Sequence, residues 1–207
     1  VRSTAGGIVR DISGIDSDYA VLKAQGSGVL EITGVNEFQT LEFDSNRGSG
    51  GSVRIEPRAT LELKATNGAV SGSDQTDHLE IQGSLVLPTD STFDLGGGND
   101  LMVVGAGGSI DPSDSSEQSL TLDGGAGDDV FFDRSGQLLK LVSSADSSDE
   151  PSSTDGQNLA VESLDESIKI QNFPVVGVAG QGVAYFGEKP SFAVDQAEGA
   201  PPEGEYG

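Results

Sequence analysis

Short runs in which apolar and polar residues alternate recur along most of the chain. Each run has an apolar residue, a middle residue that is often charged, and a second apolar residue. The runs are Leu30–Ile32, Leu41–Phe43, Val53–Ile55, Leu61–Leu63, Leu79–Ile81, Leu85–Leu87, Phe93–Leu95, Leu120–Leu122, Leu139–Leu141 and Ile168–Ile170. Because successive side chains of a β-strand point to opposite faces, this alternation predicts short strands with one buried face and one face in water.

The residues between these runs are mostly Gly, Asn, Asp, Ser and Thr. Between Leu30 and Leu95 the runs begin at steps of 11, 12, 8, 18, 6 and 8 residues. Turn residues at this density disfavour long helices, since glycine costs about 1 kcal/mol in a helix interior relative to alanine. The pattern predicts an all-β chain, either an antiparallel sandwich or barrel or a parallel β-solenoid with coils of roughly 20 residues.

Two features favour the solenoid. Similar runs return about one coil apart, at Leu41, Leu61 and Leu79 and again at Met102 and Leu120, with separations of 20, 18 and 18 residues. Aromatic residues make up only 5% of the chain and tryptophan is absent, whereas sandwich cores depend on larger aromatic side chains. We therefore predict a parallel β-helix, with an antiparallel β-sandwich as the alternative.

Three segments resemble the passenger regions of bacterial autotransporters: GGSVRIEPRATLELKATNGAV, HLEIQGSLVLPTDSTFDLGGGNDLMVVGAGGSI and LTLDGGAGDDVFF. The resemblance covers roughly Val29 to Phe132, and no recognisable outer-membrane barrel follows it. It implies a right-handed parallel β-helix that is extracellular or on the bacterial cell surface. It also implies a structural or adhesive role, with a host or neighbouring cell surface, or another copy of the chain, as the partner.

One stretch, LDGGAGDDVFFD, resembles the nonapeptide G-G-x-G-x-D-x-U-x of calcium-binding β-rolls. We assign its fixed positions to Gly124, Gly125, Gly127 and Asp128, and its apolar position to Phe131. A second candidate, LGGGNDLMV, lies 29 residues upstream and lacks the first glycine. The two copies are not in tandem, although one expanded coil would bring them together.

Calcium prefers hard oxygen ligands, six to eight in number. If the two glycine-rich stretches are adjacent, Asp100, Asp128 and Asp129 are the candidate calcium ligands. The interpretation that we favour is a pair of glycine turns whose Asn or Asp side chains bond their own backbone. Under that interpretation no cofactor is required, and calcium remains the alternative.

Charge and composition limit the possible partners. The 207 residues include 34 acidic and 11 basic ones, for a formal net charge of −23. This charge repels nucleic acid and anionic membrane surfaces. No apolar run approaches the ~20 residues of a membrane span, so we expect no membrane insertion. Cysteine is absent, and because the chain begins at Val1 we expect a mature or excised piece.

Catalysis has little support in the sequence. His78 is the only histidine and follows Asp77, but no G-x-S-x-G or similar nucleophile stretch is present. We interpret His78 as a solvent-facing residue at a strand start. The carboxylates of Asp100 and Asp128 lack a nearby aromatic platform for a sugar. We therefore predict that the chain is not an enzyme, with a carbohydrate-active β-helix enzyme as an alternative.

Composition also divides the chain. We predict a β-solenoid domain over residues 1–142, a disordered acidic loop or linker over 143–158, a C-terminal β segment over 159–194 that acts as a cap or an intersubunit strand, and a disordered tail over 195–207. The predicted function is an extracellular structural or adhesive surface module. End-to-end assembly into a homo-oligomer or fibre would follow if the coil ends stay open. A calcium-dependent β-roll-like folding module is a further alternative.

Overall fold

The computed structural model describes residues 2–3, 7–9, 21–26, 28–44, 50–89, 91–113, 120–143, 159–163 and 168–185. Residues 144–158 of the predicted acidic loop and the predicted tail over 195–207 lie outside this set. The described residues form strands and turns without any helix, so none of them belongs to a helix able to cross a membrane.

Three sheets make up the body of the fold, and their strands are parallel except for the last strand of sheet B. Sheet A contains β1 (Arg2–Ser3), β3 (Val21–Gln25), β6 (Thr40–Asp44), β9 (Val70–Ser73), β12 (Thr92–Gly96), β15 (Leu120–Asp123) and β19 (Ile168–Gln171). Sheet B contains β2 (Gly7–Val9), β4 (Val29–Ile32), β7 (Ser52–Ile55), β10 (His78–Ile81), β13 (Leu101–Val104), β16 (Val130–Asp133), β20 (Val175–Val178) and β21 (Gly182–Tyr185). Sheet C contains β5 (Val35–Phe38), β8 (Thr60–Leu63), β11 (Ser84–Leu87) and β14 (Ser109–Pro112). A separate antiparallel hairpin joins β17 (Leu139–Ser143) to β18 (Leu159–Ser163).

Each complete coil of the chain contributes one strand to each sheet. Four complete coils run from β3 to β14, and every neighbouring pair of their strands within a sheet is parallel. The fold is therefore an all-β parallel solenoid, which confirms the prediction of a β-helix over the antiparallel sandwich.

The coil repeat differs from the one that we expected. Leu41, Leu61 and Leu79 lie on sheets A, C and B respectively, so they are not equivalent positions. In sheet B the inward residue Leu79 pairs with Val53 on one side and with Met102 on the other, 26 and 23 residues away. The expected spacing of 18 to 20 residues connected runs that lie on different sheets, because every complete coil contains three similar runs.

The core is a column of inward-facing aliphatic side chains. Leu79 on sheet B, Leu41 on sheet A and Leu61 on sheet C are all fully buried. Larger side chains fill the column in places, and Phe131 meets Phe173 edge to face with ring centroids 5.4 Å apart. Since parallel strands repeat the same two faces in each coil, short runs of alternating residues are sufficient to build this core.

Charged residues on the outer faces are arranged in pairs of opposite sign. On sheet B, Arg54 lies between Glu31 and Glu80, and its Nε donates to Glu80 Oε2 at 2.7 Å. On sheet A, Lys23 forms an ion pair with Glu42. These pairs are partly exposed, so each contributes at most about 1 kcal/mol, and their main effect is to keep the outer faces in water.

The C-terminal strands extend the same stack. β19 pairs with β15 and β20 pairs with β16, both parallel and in register. The chain then reverses, and β21 pairs antiparallel with β20. Within the described residues of the predicted C-terminal segment 159–194, β19, β20 and β21 thus belong to the sheets of the solenoid, whereas β18 pairs with β17 in the separate hairpin.

Candidate functional site: a buried aspartate ladder

The turns between sheets A and B stack backbone on backbone in three successive coils. These stacked turns are residues 73–77, 96–100 and 125–129. Gly97 N donates to Ser73 O at 2.7 Å, Ala126 N donates to Gly96 O at 2.8 Å, and Gly98 N donates to Ala126 O at 2.9 Å. The sheet hydrogen bonding therefore continues around the corner between sheets A and B.

Glycine is required where these turns meet. Gly98 has φ +117° and Gly127 has φ +144°, a region that other residues rarely adopt. A Cβ on Gly127 would lie 1.5 Å from the carbonyl oxygen of Gly98, and one on Gly125 would lie 2.0 Å from the carbonyl oxygen of Gly96. The glycine-rich sequence thus reflects close approach of two backbones as well as turn conformation.

An aspartate ends each of the stacked turns. Asp77, Asp100 and Asp129 immediately precede β10, β13 and β16, and the strand register places them one above the other. Asp100 Oδ1 accepts the backbone N–H of Asp77 at 2.7 Å, and Asp129 Oδ1 accepts the backbone N–H of Asp100 at 2.7 Å. We call these three residues the aspartate ladder, in which each carboxylate binds the backbone of the preceding coil.

The two ends of the ladder have different chemistry. At the N-terminal end, Asp77 Oδ1 accepts the N–H of Gly51 at 2.6 Å and its Oδ2 accepts the N–H of Ser73 at 2.7 Å. At the other end, the register places Pro174 next to Asp129, and proline provides no carboxylate. The ladder therefore spans three coils.

The ladder is buried and incompletely hydrogen bonded. Asp77, Asp100 and Asp129 are 0%, 1% and 0% exposed. The Oδ2 atoms of Asp100 and Asp129 have no hydrogen-bond partner. Burial disfavours a charged carboxylate, and burial accordingly raises the pKa of Asp77 and of Asp129.

Asp100 shows the largest effect. Burial, together with the charges of Asp77, Asp129 and Asp94, raises the pKa of Asp100 to about 7, although the hydrogen bond from the Asp77 backbone lowers it. A carboxyl group with such a pKa carries a proton for a large part of the time at neutral pH. Asp100, in the middle of the ladder, is therefore present in both the neutral and the charged form near neutral pH.

The structure brings together two of the three candidate calcium ligands. Asp100 and Asp129 are neighbours in the ladder, whereas Asp128 is exposed and its N–H donates to Asn99 Oδ1 at 3.2 Å. Counted from Gly124, the sixth position of the nonapeptide is Asp129, so the assignment of Asp128 to that position was one residue too early. Asp129, at the sixth position, is buried at the end of the turn between sheets A and B.

A cation at this corner would find few side-chain ligands. Across the described ranges, no three His, Asp or Glu side chains group in a way that could hold a metal ion. The unpartnered Oδ2 atoms of Asp100 and Asp129 are the two oxygens that fit calcium chemistry, and the remaining ligands would have to be backbone carbonyls or water.

Two buried aspartates were missed by the sequence analysis. Asp77 was considered only as a neighbour of His78, although it precedes a strand run in the same way as Asp100 and Asp129. Asp133 ends β16, where its Oδ1 accepts the N–H of Gly136 at 3.0 Å and its Oδ2 accepts the N–H of Leu139 at 2.9 Å. The signal for Asp77 was present, since the motif is an aspartate two residues before an inward apolar residue.

His78 lies on the outer face of sheet B, at the start of β10 as predicted. Its strand neighbours are Ser52 and Leu101, and burial lowers its pKa. Both carboxylate oxygens of Asp77 accept backbone N–H groups, from Gly51 and Ser73.

Comparison with known proteins found no matching protein-family model, no matching curated protein and no matching solved structure.

Proposed function

We propose that this chain is a structural and adhesive module on a bacterial surface, in which a solenoid presents a flat polar face to another surface. The observation that carries the proposal is the in-register stack of seven strands in sheet A. With a strand spacing of about 4.8 Å, this stack is about 29 Å long. A continuous sheet of this kind suits contact with an extended surface better than with a small molecule.

The outer face of sheet A has polar and charged side chains in aligned rows. One row contains Ser71, Asp94 and Asp123, and a second contains Thr92, Thr121 and Lys169. Aligned hydroxyl, carboxylate and ammonium groups can form many weak hydrogen bonds to a polar surface such as a glycan-coated cell. This chemistry supports adhesion to a host or neighbouring cell.

Adhesion can be tested with beads that carry the purified chain. We expect coated beads to bind bacterial cells or cultured epithelial cells more than albumin-coated beads do. Thr121→Arg on sheet A should reduce binding, while the matched change Thr60→Arg on the outer face of sheet C should not. Binding no higher than that of albumin beads, or equal loss with both variants, would contradict the proposed role of sheet A.

Growth into a fibre is a separate prediction. β21 pairs with β20 in the antiparallel direction and so occupies the edge of sheet B to which a second solenoid would add in parallel. Among the strands that the structure describes, β19 ends sheet A without such a covering strand. Sedimentation at physiological salt distinguishes the two forms: a single slow species supports a monomeric module, and fast heterogeneous species support end-to-end assembly.

Calcium-dependent folding is the second candidate function. It is favoured by the unpartnered Oδ2 atoms of Asp100 and Asp129 in the aspartate ladder. A ligand that binds only the folded chain raises its melting temperature. Millimolar calcium should then stabilise the wild-type chain and the Asp128→Asn variant, but not Asp129→Asn. Equal melting with calcium and with chelator would exclude this candidate.

A further inference from the structure

The turn between β8 and β9, at the corner between sheets C and A, contains the dipeptide Asn67–Gly68. Asn67 is the only asparagine of the chain that is followed by glycine. Such an asparagine can lose its side-chain amide group, because glycine has no side chain to hinder attack by its own backbone nitrogen. The dipeptide is therefore a candidate site of spontaneous deamidation.

The structure places this dipeptide at the surface, between two fixed points of the backbone. Asn67 is exposed, whereas Ala69 is fully buried. Before the dipeptide, Ala65 N donates to Gln39 O at 3.0 Å, and after it Ala69 O accepts the N–H of Leu41 at 2.8 Å. Water therefore reaches the Asn67 side chain, while the preceding coil holds the backbone on both sides of it.

Thr92, at the start of β12 in the following coil, binds the residues on either side of Asn67. Its backbone N–H donates to Thr66 O at 3.0 Å, and its Oγ1 accepts the backbone N–H of Gly68. Gly68 has φ +62°, a conformation that glycine adopts readily. The N–H that the Thr92 hydroxyl binds belongs to the nitrogen that would attack the Asn67 side chain.

Deamidation of this dipeptide needs only water. The nitrogen of Gly68 loses its proton to hydroxide and bonds to Cγ of Asn67, and the side-chain nitrogen leaves as ammonia after it takes a proton from water. Water then opens the resulting cyclic imide at one of its two carbonyls. Opening at Cγ gives aspartate, and opening at the backbone carbonyl gives isoaspartate, in which the chain runs through the side chain.

We propose that Asn67–Gly68 is a deamidation site of this protein and that the hydroxyl of Thr92 controls its rate. The hydrogen bond from the Gly68 N–H to Thr92 Oγ1 has to break before the nitrogen can lose its proton and turn toward Asn67. The stacked coil therefore protects the dipeptide as long as β12 stays paired with β9. Loss of the hydroxyl, or opening of the coil, removes this protection.

Either product changes this corner of the solenoid. Aspartate adds a negative charge next to Thr92, in the same outer row of sheet A as Thr121. Isoaspartate adds one carbon to the backbone between two points that the preceding coil holds, directly before buried Ala69. The modification thus alters the border of sheet A, and the site itself does not depend on the function that we propose for that sheet.

The test follows the full-length chain under mildly alkaline conditions. Peptide mass mapping measures the exchange of NH₂ for OH at Asn67, and enzymatic methylation detects isoaspartate. The folded wild type should react several-fold more slowly than the wild type unfolded in urea. Thr92→Val should raise the rate in the folded chain about five-fold, the factor that corresponds to a hydrogen bond of about 1 kcal/mol. Thr92→Ser keeps a hydroxyl and should react like the wild type.

Thr121→Val is the matched control, since it removes the neighbouring hydroxyl of the same row and should leave the rate unchanged. Far-UV circular dichroism confirms that each variant is folded. No product at Asn67 even in the unfolded chain would show that the dipeptide is not a deamidation site. Equal rates in folded wild type and folded Thr92→Val, or equal acceleration by Thr92→Val and Thr121→Val, would overturn the role of the Thr92 hydroxyl.

Discussion

The aspartate ladder makes the stability of this protein depend on pH in an unusual direction. The pKa of Asp100 is raised to about 7, whereas an aspartate in an unfolded chain has a pKa of about 3.9. Below about pH 4 both states hold the proton, and the stabilisation is fully present. Between about pH 4 and pH 7 the unfolded chain loses the proton while the folded chain keeps it, so the free energy of unfolding falls as the pH rises.

The size of this effect follows from the shift. A difference of about 3 pH units, at about 1.36 kcal/mol per unit, gives a loss on the order of 4 kcal/mol between pH 4 and pH 8. This is a large part of the 5–15 kcal/mol that typically stabilises a folded domain. Surface carboxylates contribute in the opposite direction at low pH, so the comparison with a variant is more informative than the wild-type curve alone.

The measurement is urea unfolding at several pH values from 4 to 8, followed by circular dichroism in the presence of a chelator. Asp100→Asn keeps an oxygen that can accept the N–H of Asp77 but cannot ionise. Its stability relative to the wild type should therefore rise with pH, by up to about 4 kcal/mol. Asp128→Asn removes a carboxylate from an exposed position of the same turn and is the matched control variant.

Parallel curves for the wild type and Asp100→Asn across this range would show that Asp100 holds no extra proton in the folded state. An increase of wild-type stability from pH 5 to pH 8 that Asp100→Asn removes would show the opposite sign, as for a carboxylate stabilised in its charged form. Either result would refute the reasoning from burial.

The remaining predictions concern packing and domain organisation. Gly127→Ala should destabilise the fold by more than about 3 kcal/mol in urea unfolding, because its Cβ would overlap the backbone of the preceding coil. The matched change Gly180→Ala, with φ +73° and nothing within 4 Å of the new Cβ, should cost only about 1 kcal/mol, and equal effects would remove the close-approach argument. Phe131→Ala should cost about 3–5 kcal/mol, since the ring is fully buried against Phe173, and a smaller loss would mean that the core collapses around the cavity. Limited proteolysis should cut the predicted linker over residues 143–158 first, and early cleavage within residues 29–132 would contradict the predicted domain boundaries.

The architecture was largely predictable from the alternation of apolar and polar residues. Runs such as Leu79–Ile81 and Leu61–Leu63 all become strands with inward apolar residues. The assignment of runs to sheets was not predictable in the same way. Three runs per coil look alike, and the connections between them vary in length, so spacing alone paired Leu41 with Leu61 although they lie on different sheets.

The candidate site was only partly predictable. The glycine-rich stretches predicted tight turns. The structure places the two turns next to each other on neighbouring coils, which the sequence analysis expected if the residues between them form a single coil. The role of the aspartates was harder to infer, because an Asp beside a glycine turn usually bonds its own backbone. Here Asp129 bonds the backbone of the coil before it, and this contact depends on a strand register that only the folded stack defines.

The backbone contact at the stacked turns also limits how such a solenoid could lengthen by duplication. An additional coil inserted between β12 and β16 would have to supply glycine at the positions of Gly98 and Gly127, and an aspartate directly before its sheet B strand. A coil without those residues would separate the turns and leave the N–H of the preceding aspartate without its acceptor. Insertions of arbitrary sequence are therefore confined to the other corners of the coil. A related chain with more repeats should vary in length at those corners and keep a five-residue turn between sheets A and B.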